Sequence, residues 1–288
     1  MGDVLALRQL SVGKTDAELF QDFYERERTM DVVRKRRIAA INLVGRILIV
    51  GAFVGAWWLV STFYPPVLVP SPSDTWRAFL DSRGTIWDHT PATIIEIVVG
   101  FLAGSVLGIG LGALIAQSRW AEVTLRPYVV ISQAVPKIAL APILLIFFGF
   151  GIGPKVLISA LIAFFPLFEN TITGLRRVDP DSLRLFQSLG ASKWQIFVKL
   201  RVFSALPMVF AGLRIAAILA TLGAIVAEFV AGNKGLGALL VISLGTFSTP
   251  LMYATMTVLT ILAFGVYVAS QWLERKALKH YNLTPPGE

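Results

Sequence analysis

The chain contains no cysteine, which removes disulfides, thiol nucleophiles and cysteine-ligated metals from consideration. Histidine is nearly absent, since His89 and His280 are the two it has, too few for a multi-histidine metal site. Charged residues make up 15% of the 288 positions, against roughly 25% in an ordinary soluble domain. Paired carboxylates at the spacing a hydrolase or intramembrane protease would use are missing, as is any acid, base and nucleophile set. Gly13, Lys14 and Thr15 imitate the end of a phosphate-binding loop, but that pattern requires a glycine where Arg8 stands. An enzyme is therefore not expected, nor a cofactor bound by this chain. The first 37 residues are polar and charged, without the short apolar core of a cleavable signal peptide.

What the chain has is apolar length. Hydrophobic residues reach 55% and the mean hydropathy is +0.70, and they fall in unbroken stretches that match the roughly 20 helical residues needed to cross a bilayer. Six spans are expected, at about 38–62, 92–116, 127–150, 155–175, 203–230 and 251–272. Pro65 and Pro66 end the first, beyond Trp57, Trp58 and Tyr64, which sit where aromatic rings favour the interface. The segment 67–90 is too polar to span, and Ser73 or Asp74 is placed to cap a short surface helix there. Ahead of the spans, 1–37 reads as an amphipathic surface segment, with Thr15 and Glu18 at capping-box spacing and a basic end at Arg34, Lys35, Arg36 and Arg37. The domain plan is thus 1–37, a first transmembrane helix within 38–66, an outer segment 67–90, a bundle 91–275 carrying a loop at 176–201, and a tail 276–288.

The net charge of +8 flanks these spans instead of forming one stripe, which argues against nucleic acid and for positive-inside topology. Fifteen basic residues at span ends fall on the side that includes Arg34 to Arg37, Arg119, Arg126, Arg176, Arg177 and Arg275, against four on the other, Arg77, Arg83, Lys155 and Lys234. Both termini are expected in the cytoplasm, with lipid around the bundle.

Gly100, Gly104, Gly108 and Gly112 recur every four residues in the second span and so share one helix face, a stripe suited to close helix packing in lipid. Pro136 and Pro142 in the third span and Pro166 in the fourth are expected to kink or interrupt their helices. Charges at membrane depth are functional candidates. Gln133, Lys137, Glu169 and Glu228 are the candidate pathway residues; Lys137 is otherwise placed to snorkel to the interface, Glu228 to cap a turn or touch a partner, and Glu169 and Arg214 to neutralise each other.

The informative segment is 176–201. Asp179 before Pro180 makes a helix start, Leu185 and Leu189 share a face, and Gly190 fits a left-handed cap. Ser192 can cap a second helix along which Trp194, Phe197 and Leu200 recur every three residues. A helical hairpin with an apolar face between two spans is a surface that needs a protein partner.

These residues resemble permease subunits of ATP-binding-cassette importers, whose loop of the form Glu-Ala-Ala, three residues, glycine and a distant proline docks on a cytoplasmic ATPase. Gly190, Ala191, Ser192, Trp194, Leu206, Pro207, Gly212, Leu213 and Arg214 match the subfamily for nitrate, sulfonate, taurine and thiamine-precursor pyrimidines. The likeness runs from about 65 to 275 and includes Leu68 to Ser73, Phe164 to Pro166, Asp179 and Pro180, Ala227 and Glu228, and Gly235 to Gly237. Arg184, Leu185 and Phe186 stand where that family has Glu-Ala-Ala, a departure that puts a glutamate salt bridge in doubt. The resemblance implies an all-α membrane protein, about six transmembrane helices of the type I importer permease kind, with a cytoplasmic coupling helix between spans 4 and 5. It implies coupling through Asp181, Ser182, Arg184, Leu185, Phe186, Leu189, Gly190, Ala191, Ser192 and Trp194 to an ABC ATPase in two copies, which would hold the ATP and Mg. It also implies a second permease copy and a periplasmic or lipid-anchored substrate-binding protein. Residues 210–240 resemble pyrimidine-type importers more than nitrate ones. A secondary transporter driven by an ion gradient through Glu169 or Glu228 is the alternative.

Overall fold

The computed structural model describes residue 41 and residues 44–280, with two units meeting at Tyr64 and Pro65. The expected amphipathic segment at 1–37 and the tail beyond His280 lie outside the described residues. In the first unit, α1 (Val44–Phe63) is an apolar helix of 20 residues, enough for a hydrocarbon core of about 30 Å.

The second unit is helical throughout. A short helix, α2 (Pro72–Asp81), leads into α3 (Arg83–Ala116), and the expected third span follows as α4 (Arg119–Ser132), a 3-10 turn (Lys137–Leu140) and α5 (Ala141–Phe148). Then come α6 (Ile152–Arg176), α7 (Pro180–Ser188) and α8 (Lys193–Ile196), which runs through a π-helical turn (Phe197–Arg201) into α9 (Val202–Ala231). The chain closes with α10 (Leu236–Gly245) and α11 (Thr249–His280). Five helices are long and apolar enough to cross a membrane, or six with the bent pair of α4 and α5 taken as one span.

Several boundaries differ from the sequence expectation for local reasons. The cap of α2 is Ser71, not Ser73 or Asp74: its hydroxyl accepts from the Asp74 backbone N–H at 3.2 Å, while Asp74 as third helical residue reaches back to Ser71. The Ser71 hydroxyl, which donates to the Asp74 carboxylate at 2.6 Å, and then the Ser71 backbone N–H hold that carboxyl below its ordinary value. The second span starts at Arg83 instead of about Ala92 and carries Pro91 within its first turns. The third is interrupted between Ser132 and Lys137, where Pro136 stands, with a 77° change of direction, while Pro142 lies in the first turn of α5. Pro166 does not break α6, and its carbonyl accepts from the Asn170 amide at 2.7 Å. The fifth helix begins at Lys193, well before Pro207, and α10 is an element that the span pattern left out.

The centre of the bundle is α6, packed along α3 on one side and α9 on the other. The glycine stripe explains the first contact. A Cβ on Gly104 would lie 2.6 Å from the Ala160 carbonyl oxygen, on Gly108 2.7 Å from that of Phe164, and on Gly112 3.0 Å from that of Phe168, while Gly100 faces Ser159. Backbones approach this closely only where side chains are absent. On the other side Gly223 of α9 meets the Ser159 Cα, and the Ser159 hydroxyl donates to the Ala220 carbonyl at 2.9 Å. Leu167, Phe168 and Ile172 of α6 are fully buried between these neighbours.

Candidate coupling hairpin and buried charge clusters

The hairpin between α6 and α9 is built by local rules. The Asp179 carboxylate accepts from the Ser182 backbone at 2.9 Å and hydroxyl at 2.7 Å, capping α7. The hydroxyl first, then the backbone N–H, holds this carboxyl below its ordinary value. At the other end Gly190 takes φ 70°, with Gly190 N–H donating to the Gln187 carbonyl and Ala191 N–H to that of Phe186, each at 3.0 Å. That pair of bonds is a Schellman motif, and its left-handed residue is the reason for glycine. Ser192 and Gln195 form a reciprocal capping box that restarts the helix.

The resulting surface carries Leu185, Leu189 and Trp194, large apolar groups exposed at 57%, 75% and 68%. Arg184 pairs with Asp181 at 3.3 Å, both in solvent, while Ser182 and Phe186 are half-buried. Trp194 stacks on Phe197 at 5.8 Å, and Ile196 behind them is buried. A cavity of about 400 Å³ between Gln117 at the end of α3 and Leu183, Gln187 and Arg201 joins the hairpin to the bundle.

Deeper charges are paired, though not as their spacing suggested. Glu169 accepts from Arg126 at 2.7 Å, and Arg214 pairs with Glu274 of α11 at 3.3 Å, so the expected Arg214–Glu169 contact is replaced by two others. Lys137 lies 4.4 Å from the Phe165 ring centroid and donates to the Gln133 carbonyl at 3.3 Å, which brings those two residues together at the break between α4 and α5.

Glu228 sits apart from them, fully buried at the end of the bundle opposite the hairpin. Its carboxylate accepts from the Thr93 hydroxyl at 2.6 Å and from the Gly237 backbone, and Thr93 in turn accepts from Leu236 N–H at 2.8 Å. A side chain at Gly235 or Gly237 would collide with that carboxylate, so the loop between α9 and α10 closes only with glycine there. His89 Nδ1 lies 2.8 Å from the Gly235 carbonyl oxygen. Nearby, Lys155 of α6 pairs with Glu96 of α3 at 2.9 Å, with side chains 3% and 1% exposed, and donates to the Lys234 carbonyl at 2.7 Å. Sequence spacing gave no sign of this pair, since 59 residues separate its members; buried charge on two apolar helices was the one available signal. Among the described residues no group of acidic or histidine side chains could hold a metal.

The described residues thus form an all-helical bundle with an exposed helical hairpin between two helices of membrane-spanning length. Residues 104–279 match the family described as the binding-protein-dependent transport system inner membrane component, and the chain belongs to that family. It is a multi-pass inner-membrane permease subunit of an ABC importer, not an enzyme, and such a subunit works with an ATPase partner. Similar proteins include a riboflavin transport system permease, RibX, of Chloroflexus aurantiacus, 38% identical over 74% of this chain and 80% of the relative. A formylaminopyrimidine transport permease, ThiX, of Halalkalibacterium halodurans is also 38% identical, over 73% of this chain and 84% of its own length. The fold matches the MetNI methionine ABC transporter in an inward-facing conformation, at TM-score 0.56 and 20% identity over 64% of this chain and 92% of the other.

Proposed function

We propose that this permease imports a small polar heteroaromatic nutrient, of pyrimidine or flavin type, and that the hairpin from Asp179 to Arg201 transmits ATP hydrolysis to the bundle. The observation that carries the coupling role is the exposed Leu185, Leu189 and Trp194 face, held in shape by the Asp179 cap, the Gly190 turn and the Ser192 capping box. A large apolar face on a short helical hairpin is suited to a groove on a partner protein, and Asp181, Ser182, Arg184, Phe186 and Ala191 complete its rim. The partner is an ABC ATPase in two copies, which holds the ATP and Mg; two permease copies form the pathway, and a periplasmic or lipid-anchored binding protein delivers the substrate. The hairpin end of the bundle, rich in arginine and lysine, faces the cytoplasm with both termini. Gln133, Lys137 and the Phe165 ring offer a cation and an aromatic face to the substrate at the break in the third span. The greater identity to riboflavin and formylaminopyrimidine permeases than to taurine or nitrate ones, 38% against 30%, supports the heteroaromatic class.

The test is Gly190→Val. A β-branched residue cannot readily adopt φ 70°, so the hairpin should lose its shape while the bundle, which has nothing within 4 Å of that position, assembles. Uptake by the assembled transporter in proteoliposomes should fall at least tenfold while the ATPase stays active. Unchanged uptake with unchanged assembly would refute the coupling role.

A further inference from the structure

Between the hairpin and the bundle, the end of α3, α7, α8 and the π-helical turn enclose the cavity of about 400 Å³. Its lining supplies two cations, Lys193 and Arg201, and two amides, Gln117 and Gln187, beside the apolar Leu183, Ile196 and Phe197, with no carboxylate among them. The apolar docking face points elsewhere. Leu183 and Gln187 each stand two residues from Leu185 and Leu189, a rotation of about 200° around α7, so a partner seated on the exposed leucines does not fill the cavity.

Three features bear on what does. Arg201 is half-buried, and among the described residues neither it nor Lys193 has an ion pair or a side-chain hydrogen bond, whereas Arg126, Arg176 and Arg214 of the bundle each have a carboxylate. A guanidinium drawn partly out of water without a partner is unfavourable, and its planar fork matches phosphate oxygens. The Gln187 side chain is also without a hydrogen bond among the described residues, and Gln117 uses only its amide nitrogen, towards the Ala113 carbonyl at 3.4 Å. Amides of this kind can both donate to and accept from the edge of a heteroaromatic ring. The volume falls in the range of small-molecule sites, about 300–1,000 Å³, and a bare inorganic anion on the cations would leave the amides and the Phe197 ring unused.

We propose that this cavity binds a phosphate monoester carrying a flat heteroaromatic ring, with the phosphate on Lys193 and Arg201, the ring against Phe197 and Leu183, and its edge met by Gln117 and Gln187. The bound molecule ties α7 to the end of α3. The proposal rests on the reading that the hairpin faces the cytoplasm, where such phosphates are held, and not on force transmission through it, so the Gly190→Val uptake experiment and this one fail separately.

The test is fluorescence anisotropy of flavin mononucleotide with the purified transporter, permease and ATPase together, in phosphatidylcholine nanodiscs. Flavin mononucleotide should bind, and riboflavin, which lacks only the phosphate, should bind at least about tenfold more weakly. Arg201→Gln, which breaks no ion pair, should weaken flavin mononucleotide binding about tenfold, equivalent to ~1.4 kcal/mol, and Arg201→Lys should recover most of it. Lys193→Gln, at an exposed position, provides an independent variant with the same direction. Hydrogen exchange in α7 should slow when flavin mononucleotide is added to wild type and not when it is added to Arg201→Gln. Absence of binding, equal binding of riboflavin, or wild-type binding by both glutamine variants would overturn the proposal. So would competition by inorganic phosphate at equal concentration, which marks a bare-anion site, and loss of binding in phosphatidylglycerol nanodiscs, which assigns the cations to a lipid headgroup. Binding that appears only once the ATPase is removed would assign the cavity to the ATPase and overturn it as well.

Discussion

Replacing Lys155 with alanine tests whether the buried pair at the end opposite the hairpin holds α3 to α6. The ammonium lies 2.9 Å from the Glu96 carboxylate and 2.7 Å from the Lys234 carbonyl oxygen. At an effective dielectric near 20 the attraction over that first distance is about 6 kcal/mol before desolvation is subtracted. Without Lys155 the Glu96 carboxylate has no cation in contact, its second oxygen already lacks a hydrogen-bond partner, and the loop carbonyl loses its donor. Removing one partner of such a pair typically destabilises by about 3–5 kcal/mol. At roughly 2–4 °C per kcal/mol for a domain of this size, Tm of the detergent-purified protein should fall by on the order of 10 °C, followed by tryptophan fluorescence or by loss of the monodisperse peak. The double variant Lys155→Met with Glu96→Leu removes both charges and should recover most of the loss, since apolar replacement of a buried pair is often neutral. A single variant within a degree of wild type, or a double variant as unstable as the single, would refute the reasoning.

Gly108→Ala should lower Tm by an amount equivalent to roughly 1–3 kcal/mol of overpacking, because the new Cβ would meet the Phe164 carbonyl oxygen at 2.7 Å. Gly110→Ala on the same helix, with nothing within 4 Å, should be neutral or stabilising in the same assay. Asp179 provides a pH test: its carboxyl is held below the ordinary value by Ser182, so the cap contributes above that ordinary value and is lost as pH falls through the lowered one. Pepsin cleavage within α7, normalised at each pH to cleavage of an unstructured peptide, should therefore rise in wild type as pH drops below the carboxylate range and stay flat in Asp179→Asn, which keeps an acceptor that does not titrate; identical normalised profiles would refute the cap's role.

What could be read from the sequence is what depends on neighbours within a turn or two. Asp179, Gly190 and Ser192 announce their caps through residue types at fixed offsets, and Gly100 to Gly112 announce a packing face through a period of four. Apolar length located the spans, and Pro136 marked the break in the third. The pairing of charges was not legible, because it is set by how helices rotate against one another. Arg214 and Glu169 looked complementary by depth, yet Arg214 faces Glu274 on α11 and Glu169 faces Arg126 on α4. Thr93 and Glu228, 135 residues apart, meet only because the glycines let α3 and α9 close on α6. Lys193, Lys199 and Arg201 interrupt the apolar run ahead of Phe203, so the fifth span looked shorter than the 38 helical residues it has, with α8 continuing through the π-helical turn into α9.

That continuity has a mechanical meaning. At about 1.5 Å per residue, the helix from Lys193 to Val230 is close to 57 Å from tip to tip. Trp194 rides on one tip and Glu228, clasped by Thr93 and the glycine loop, on the other. One continuous helix therefore carries the exposed tryptophan of the hairpin at one end and the buried carboxylate at the other, with a π-helical turn and Pro207 between them.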